Sequence, residues 1–384
     1  MKSVNPVFAQ GETTVFEVMT RLAKQFDAVN LGQGFPDDPG PEVVRRAAAA
    51  AVVDGWNQYP PMLGLPALRR AVADHDRRFY DLAIDPEGGV LVTTGATEAL
   101  AACLLAFLNP GDEVVLFEPL YDAYLPMVRR AGGVPRCVTL SPPHWRLAPA
   151  DLEALVSPKV KAVLLNNPHN PTAKVFTRDE LALVADFVRA CDAVAICDEV
   201  YEHLVFDDAR HTPLMTLPGM AERCLKIGSA GKTFSLTGWK VGYISAVPQL
   251  LAPVIRAHQY LVFTVPPHLQ SAVATGLDQG DEYFAQLVDT MVARRDHLDR
   301  GLRSCGLAPL PSFGTYFINV QLPDGETDVA FCQRLVEEAQ VAAIPVSAFY
   351  DQRPRLDVVR FCFAKAFEVL DEALARLTAW RHRA

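Results

Sequence analysis

The chain has 384 residues, 50% of them hydrophobic and 21% charged, and its 36 basic against 45 acidic side chains leave a formal charge of −9. This composition excludes a disordered polypeptide and gives length for roughly two domains of ~150 residues. The acidic balance provides no general footprint for nucleic acid or an anionic membrane, so a small-molecule partner fits best.

The first stretch, "MKSVNPVFAQGETTVFEV", lacks a continuous apolar core of the signal-peptide kind, and no 18-residue apolar run follows anywhere. A cytoplasmic protein is expected. Its eight scattered cysteines form no CxxC pair and read as reduced core residues, with no metal site among them. Residues 1 to about 45 carry the Gly/Pro-rich "LGQGFPDDPGP". Farther on, the charged runs "DHDRR" and "ARRDH" are expected on solvated helix faces.

From about residue 90 to 247, short apolar runs alternate with helical patterns: "GVLVTT", "TEALAACLLAFL", "EVVLFEP", "VKAVLLNNP", "RDELALVADFVRAC", "AVAICDEVY", "CLKIGSAG", "VGYISAV". The alternation predicts an α/β fold with a mostly parallel sheet. Runs that are apolar throughout predict strands covered by helices on both faces. From about residue 285, a long helical pattern, short strands and a last helix would join the N-terminal segment in a smaller α+β domain. The expected division is 46–284 against 1–45 plus 285–384.

In open α/β sheets, ligands sit beyond the carboxyl ends of the strands, which directs attention to four junctions. In "LVTTGATEAL", Gly95, Ala96 and Thr97 open a helix whose free N–H groups suit a phosphate, although a plain threonine cap looks the same. "LLNNPHNPT" gathers Asn166, Asn167 and Asn170 between prolines, as an ordinary turn also does. In "AICDEVYEHLVF", Asp198 ends a buried strand, either as a cap or as the partner of a cation, and Tyr201 follows. "SAGKTFSLTGWK" places Lys232 and Lys240 among hydroxyls in a chain with nine lysines and 27 arginines. A lysine amine can lose its proton and attack a carbonyl, which arginine cannot do. Together the junctions offer a phosphate cradle, an amide, an anion for a ring nitrogen, a phenol and a nucleophilic amine, the set that pyridoxal phosphate requires.

With "LGQGFPD", "NQYPP", "EPLYDAY", "VAAIPVSAFY" and "RFCFAK" added, the sequence resembles the class I/II aminotransferases over essentially its whole length. It looks most like the branch of kynurenine aminotransferase, glutamine transaminase K and bacterial methionine aminotransferase. The resemblance implies the type I fold of pyridoxal-phosphate transferases, with pyridoxal 5′-phosphate as cofactor and a homodimer with shared active sites. It also implies that Lys232 forms the Schiff base and shuttles a proton, that Asp198 pairs with the ring nitrogen, and that Tyr201 and Asn170 bind the phenolic oxygen. Tyr121 would stack on the ring. Gly95, Ala96, Thr97, Ser229, Lys240 and a partner-subunit Tyr59 would hold the phosphate. Arg360 would fork the substrate carboxylate, helped by Asn170 and Gly34, while Phe16, Tyr350 and, from the other subunit, Phe263 and Thr264 would border the side-chain pocket.

The chain departs from aspartate aminotransferases in carrying Lys240 where they have arginine, and from some kynurenine aminotransferases in carrying Thr264 where they have histidine. The activity implied is ping-pong transamination between an α-amino acid of methionine, aromatic, kynurenine or glutamine type and a 2-oxo acid. The alternatives are an N-succinyldiaminopimelate aminotransferase using glutamate and a cysteine-conjugate β-lyase on the same site.

Overall fold

The computed structural model describes residues 4–9 and 13–382. Its strands are β1 (Val29–Asn30), β2 (Val90–Thr94), β3 (Glu113–Glu118), β4 (Val134–Thr139), β5 (Val160–Asn166), β6 (Val194–Asp198), β7 (Cys224–Ser229) and β8 (Val241–Ser245). They are followed by β9 (Ala308–Pro309), β10 (Phe317–Gln321), β11 (Val341–Ala342), β12 (Ile344–Pro345) and β13 (Val358–Cys362). Seven strands form one sheet in the order β2-β8-β7-β6-β5-β3-β4. All but β8 run parallel, and β8 lies antiparallel between β2 and β7. The fold is thus α/β with a mostly parallel sheet, as expected.

The continuous apolar runs have a direct cause. Val115 and Phe117 of β3, Val163 and Leu165 of β5, and Ala195 and Cys197 of β6 enter one core cluster. Their alternate neighbours Val114, Leu116, Ala162, Leu164 and Ile196 enter a second cluster on the opposite face. Each strand is buried on both faces, so neither set of positions tolerates water. The Arg178–Ala190 helix that follows β5 opens on a capping box, Thr177 with Glu180, which satisfies two of its free N–H groups.

A second sheet of order β12-β13-β10-β9 is antiparallel, and β1 and β11 form a parallel pair. The 24-residue helix Asp281–Ser304 and the final helix Phe367–Arg381 pack against each other beside this sheet. All eight cysteines are free; Cys137 and Cys191 are half-buried and the other six are buried.

The expectation of solvated charge runs is corrected. Within "DHDRR", His75 and Asp76 are almost wholly enclosed, and within "ARRDH", Arg294 and Arg295 are buried. Each has a partner: Asp76 pairs with Lys226 at 3.0 Å and accepts from Ser245, Arg294 forks Asp38, and Arg295 forks Asp207.

Candidate active site

The four junctions converge on one cavity of about 360 Å³. Its wall contains Gly95, Ala96 and Thr97 after β2, Asn166 and Asn170 after β5, Asp198 and Tyr201 after β6, and Ser229, Lys232 and Lys240 after β7. Arg360 of β13, Gly34 in the loop after β1, Phe16 and Tyr121 also line it.

The β2 junction is built for close approach. Gly95 has φ +70°, and a Cβ there would stand 3.2 Å from Lys240 Cε and 3.3 Å from its Nζ. A Cβ on Gly242 of β8 would stand 2.7 Å from the Ala96 nitrogen, so glycine lets β8 press against the helix start. Lys240 Nζ donates to Thr97 Oγ1 at 3.3 Å. An ammonium, a hydroxyl and the free N–H groups of the 13-residue helix Gly95–Phe107 therefore meet at one point, which suits an anion.

Asp198 is buried at the end of β6 and forms no ion pair with any described residue. Tyr124 Oη donates to its Oδ2 at 2.6 Å and the Val200 N–H points to Oδ1 at 3.4 Å. Burial raises its pKa to about 6, opposed by the Tyr124 hydrogen bond, the Val200 N–H and Lys232. A buried carboxylate that lacks a cation but faces a cavity is suited to a cationic ligand group.

Lys232 Nζ donates to Tyr316 Oη at 2.8 Å, and Tyr316 Oη donates in turn to the Gly34 carbonyl at 2.6 Å. Burial lowers the Lys232 pKa to about 8, with Asp198 opposing the shift and Lys240 and Arg360 adding to it. The Tyr201 ring stands 5.6 Å from the same Nζ and meets the Tyr316 ring edge-on at 5.3 Å. Burial pushes the Tyr201 phenol up, and that of Tyr121 to about 12.

Arg360 is 1% exposed and has no carboxylate partner among the described residues. Its Nη1 donates to Asn170 Oδ1 at 2.7 Å, and its guanidinium lies 3.8 Å from the centre of the Phe317 ring. Its Nε is buried without a hydrogen bond. Burial lowers its pKa to about 10. Asn170 is fixed by its own N–H donating to Asn166 Oδ1, while Asn166 Nδ2 donates to the Asp198 carbonyl. The two asparagines thus link the guanidinium to the backbone of Asp198.

Four expected residues, Tyr59, Phe263, Thr264 and Tyr350, lie outside the cavity wall. Tyr59 and Phe263 are 75% and 42% exposed and meet edge-on at 5.7 Å, away from the cavity of their own chain. Tyr350 is buried with its hydroxyl unpaired and does not line this cavity. Its neighbour Phe349 instead packs near Phe16 and Arg360, because the turn from β12 sends one side chain inward and the next away. Conversely, Tyr124, Tyr316 and Phe317 were not singled out for roles by the sequence. Tyr124 stands in the quoted "EPLYDAY", where helical spacing from Tyr121 was the available signal.

A cavity at the strand ends of a mostly parallel sheet, with an unpaired buried carboxylate, a depressed lysine and an unpaired buried arginine, defines an enzyme site for an anionic substrate. The profile described as aminotransferase class I and II matches residues 27–377, and the chain belongs to this family. It is an aminotransferase, and the family uses pyridoxal phosphate.

The chain is 46% identical over 385 residues to a probable N-succinyldiaminopimelate aminotransferase of Mycobacterium tuberculosis, covering 97% of each protein. A solved N-succinyldiaminopimelate aminotransferase structure from Mycobacterium tuberculosis superimposes with a TM-score of 0.95 at 45% identity, covering 98% of this chain and 100% of that one. The methionine aminotransferase of Escherichia coli is 40% identical over 380 residues, covering 97% of this chain and 98% of that protein. Human kynurenine–oxoglutarate transaminase 1 is 38% identical over 397 residues, covering 94% of each.

Proposed function

We propose that the chain holds pyridoxal 5′-phosphate in this cavity and transfers the amino group of an α-amino acid to a 2-oxo acid by a ping-pong route. The observation that carries the reading is the pair formed by Lys232, an enclosed amine with its pKa lowered to about 8, and Asp198, a buried carboxylate with no cation. When bound, the cofactor would supply an electrophilic carbonyl carbon and a ring nitrogen able to withdraw electrons.

The chain's own residues divide the remaining work. Lys232 Nζ, neutral in a useful fraction near pH 8, would be the amine that binds the carbonyl carbon and, when free of it, the base that takes the proton from the substrate α-carbon. Asp198, kept in place by Tyr124, offers its anion to a protonated ring nitrogen. Tyr201 and Asn170 would bind the ring's phenolic oxygen, and Tyr121 would stack on the ring. Gly95, Ala96, Thr97, Ser229 and Lys240 hold the phosphate. Arg360 receives the substrate carboxylate as a two-pronged donor, with Asn170 and Gly34 beside it.

Phe16 and Phe317 give the substrate end an aromatic wall, which favours methionine, aromatic, kynurenine or glutamine side chains over aspartate. The 46% identity to a probable N-succinyldiaminopimelate aminotransferase supports a second reading, transfer to a succinylated oxo acid from glutamate. A β-lyase on cysteine conjugates shares the first proton removal.

The reading includes a second copy of the chain that supplies Tyr59 and Phe263. Their exposure, together with that of Trp56 and Tyr260 at 69% and 85%, supports this, since such aromatic area is normally covered. It also takes 46–284 as the cofactor-binding domain, with 1–45 and 285–384 as the smaller one. A cytoplasmic location agrees with the eight free thiols. No described helix is long and apolar enough to cross a membrane.

A panel of amino acids against several oxo acids, with the succinylated substrate and cysteine conjugates included, tests the reading. Amino transfer dependent on an oxo acid supports it, the best donor–acceptor pair selects the substrate, and pyruvate and ammonia release without an oxo acid selects the lyase. No activity on any α-amino acid would overturn it.

A further inference from the structure

A second group of chemistry-bearing side chains lies outside the cavity. His75 belongs to the helix Pro66–Tyr80, and Glu202 and His203 stand in the turn four and five residues beyond Asp198. All three are buried, and one nitrogen of each imidazole and one oxygen of the carboxylate fall within 4.8 Å of one another. None of them lines the cavity. We propose that His75, His203 and Glu202 form a binding site for one divalent transition metal of the zinc type, which braces the segment carrying Asp198 and Tyr201 against that helix.

Four observations support the site. The donor set, two imidazoles and a carboxylate, is a recurrent zinc ligand set. Glu202 uses only one oxygen: Oε2 accepts from Lys226 at 2.8 Å, while Oε1 is buried without a hydrogen bond. His75 Nδ1 is likewise buried without a hydrogen bond of ordinary geometry. Unsatisfied groups in one place call for an ion or ordered water.

The third observation is charge. Three carboxylates, Asp76, Glu202 and Glu199, act on the single ammonium of Lys226, and Glu199 also meets His211 at 3.0 Å. Two carboxylates therefore exceed the one lysine, and a dication offsets that excess.

Finally, Asp76 stands behind His75, with Oδ1 3.9 Å from His75 Nδ1. Metal-bound histidines regularly turn their second nitrogen toward a carboxylate, which fixes the ring. The two Nε2 atoms lie 2.7 Å apart, as for rings sharing one proton. Ligands on one zinc ion stand about 3.3 Å apart for bonds of about 2.05 Å, so the rings must part by roughly half an ångström.

The test uses the cofactor-loaded protein, stripped with chelator and titrated with Zn²⁺ alone and with Co²⁺ alone, whose visible bands report its ligands. The expected result is one equivalent per chain, a higher Tm, and Co²⁺ bands of nitrogen–oxygen coordination. His75→Gln and His203→Gln should each weaken uptake by about 100-fold. If either fails to fold, Glu202→Gln takes its place. Two results overturn the proposal: a wild type that takes up no metal, which leaves the rings joined by a shared proton only, or a His75→Gln/His203→Gln double variant that keeps the same equivalent.

Discussion

Lys226 and Lys232 stand six residues apart, the first inside β7 and the second in the short helix that follows it, and their environments shift them in opposite directions. Burial works against the charge on Lys226, yet Asp76, Glu202 and Glu199 outweigh it and hold the amine well above its ordinary range. Burial works the same way on Lys232, where Asp198 is the main opposing anion and Lys240 and Arg360 add to the burial effect, so the pKa falls to about 8. Burial thus accompanies a locked cation in one place and a reactive amine in the other, and the balance of nearby charges decides which.

Replacing each lysine should break the molecule in a different way. Lys232→Ala is expected to lower turnover by about 10⁴-fold or more, with little change in unfolding free energy, measured by steady-state kinetics and denaturant titration. Lys226→Met should do the reverse, costing about 3–5 kcal/mol of stability by leaving Asp76 and Glu202 buried without their cation. If Lys226→Met left stability unchanged, the paired half of the comparison would fail.

Arg360→Ala should lower kcat/KM by about 100-fold for every α-amino acid tested, chiefly through KM, because it removes a charged fork from an enclosed site. Arg360→Lys keeps the charge and loses the fork, so it should recover only part of the loss. An unchanged KM in Arg360→Ala would place the carboxylate elsewhere.

Asp198 gives a pH dependence in the cofactor-free protein. Its folded pKa of about 6 lies above the ordinary 3.8, so between those values the folded chain holds a proton that the unfolded chain has released. This group's contribution therefore falls as pH rises from about 4 to 6, by about 3 kcal/mol over two units. Asp198→Asn should flatten that part of the stability profile. The smallest effect is that of Tyr124→Phe, which removes one hydrogen bond worth about 1–2 kcal/mol to the carboxylate and should raise the Asp198 pKa further, as read by NMR titration.

The large sheet was legible because strands enclosed on both faces leave unbroken apolar runs. Strand β4 did not stand out: it is a half-exposed edge strand carrying Pro135 and Arg136. The cavity residues at the ends of β2, β5, β6 and β7 were legible for a topological reason, since parallel strands bring their carboxyl ends to one rim. Phe317, which lines the cavity, and Tyr316, which accepts from Lys232, escaped that rule because they come from the start of β10, in the other sheet. The burial of His75 and Asp76 was missed because charge spacing on a helix says nothing of what faces it. Lys226, a lone lysine inside the apolar run "CLKIGS", was the sign that buried anions had to exist nearby.

The comparison of the two lysines is tested most directly by borohydride reduction of the cofactor-loaded protein followed by peptide mapping. The account predicts a visible chromophore that is fixed irreversibly on Lys232, with fixation lost in Lys232→Ala. Label on Lys226 or Lys240, or fixation retained in that variant, would contradict it.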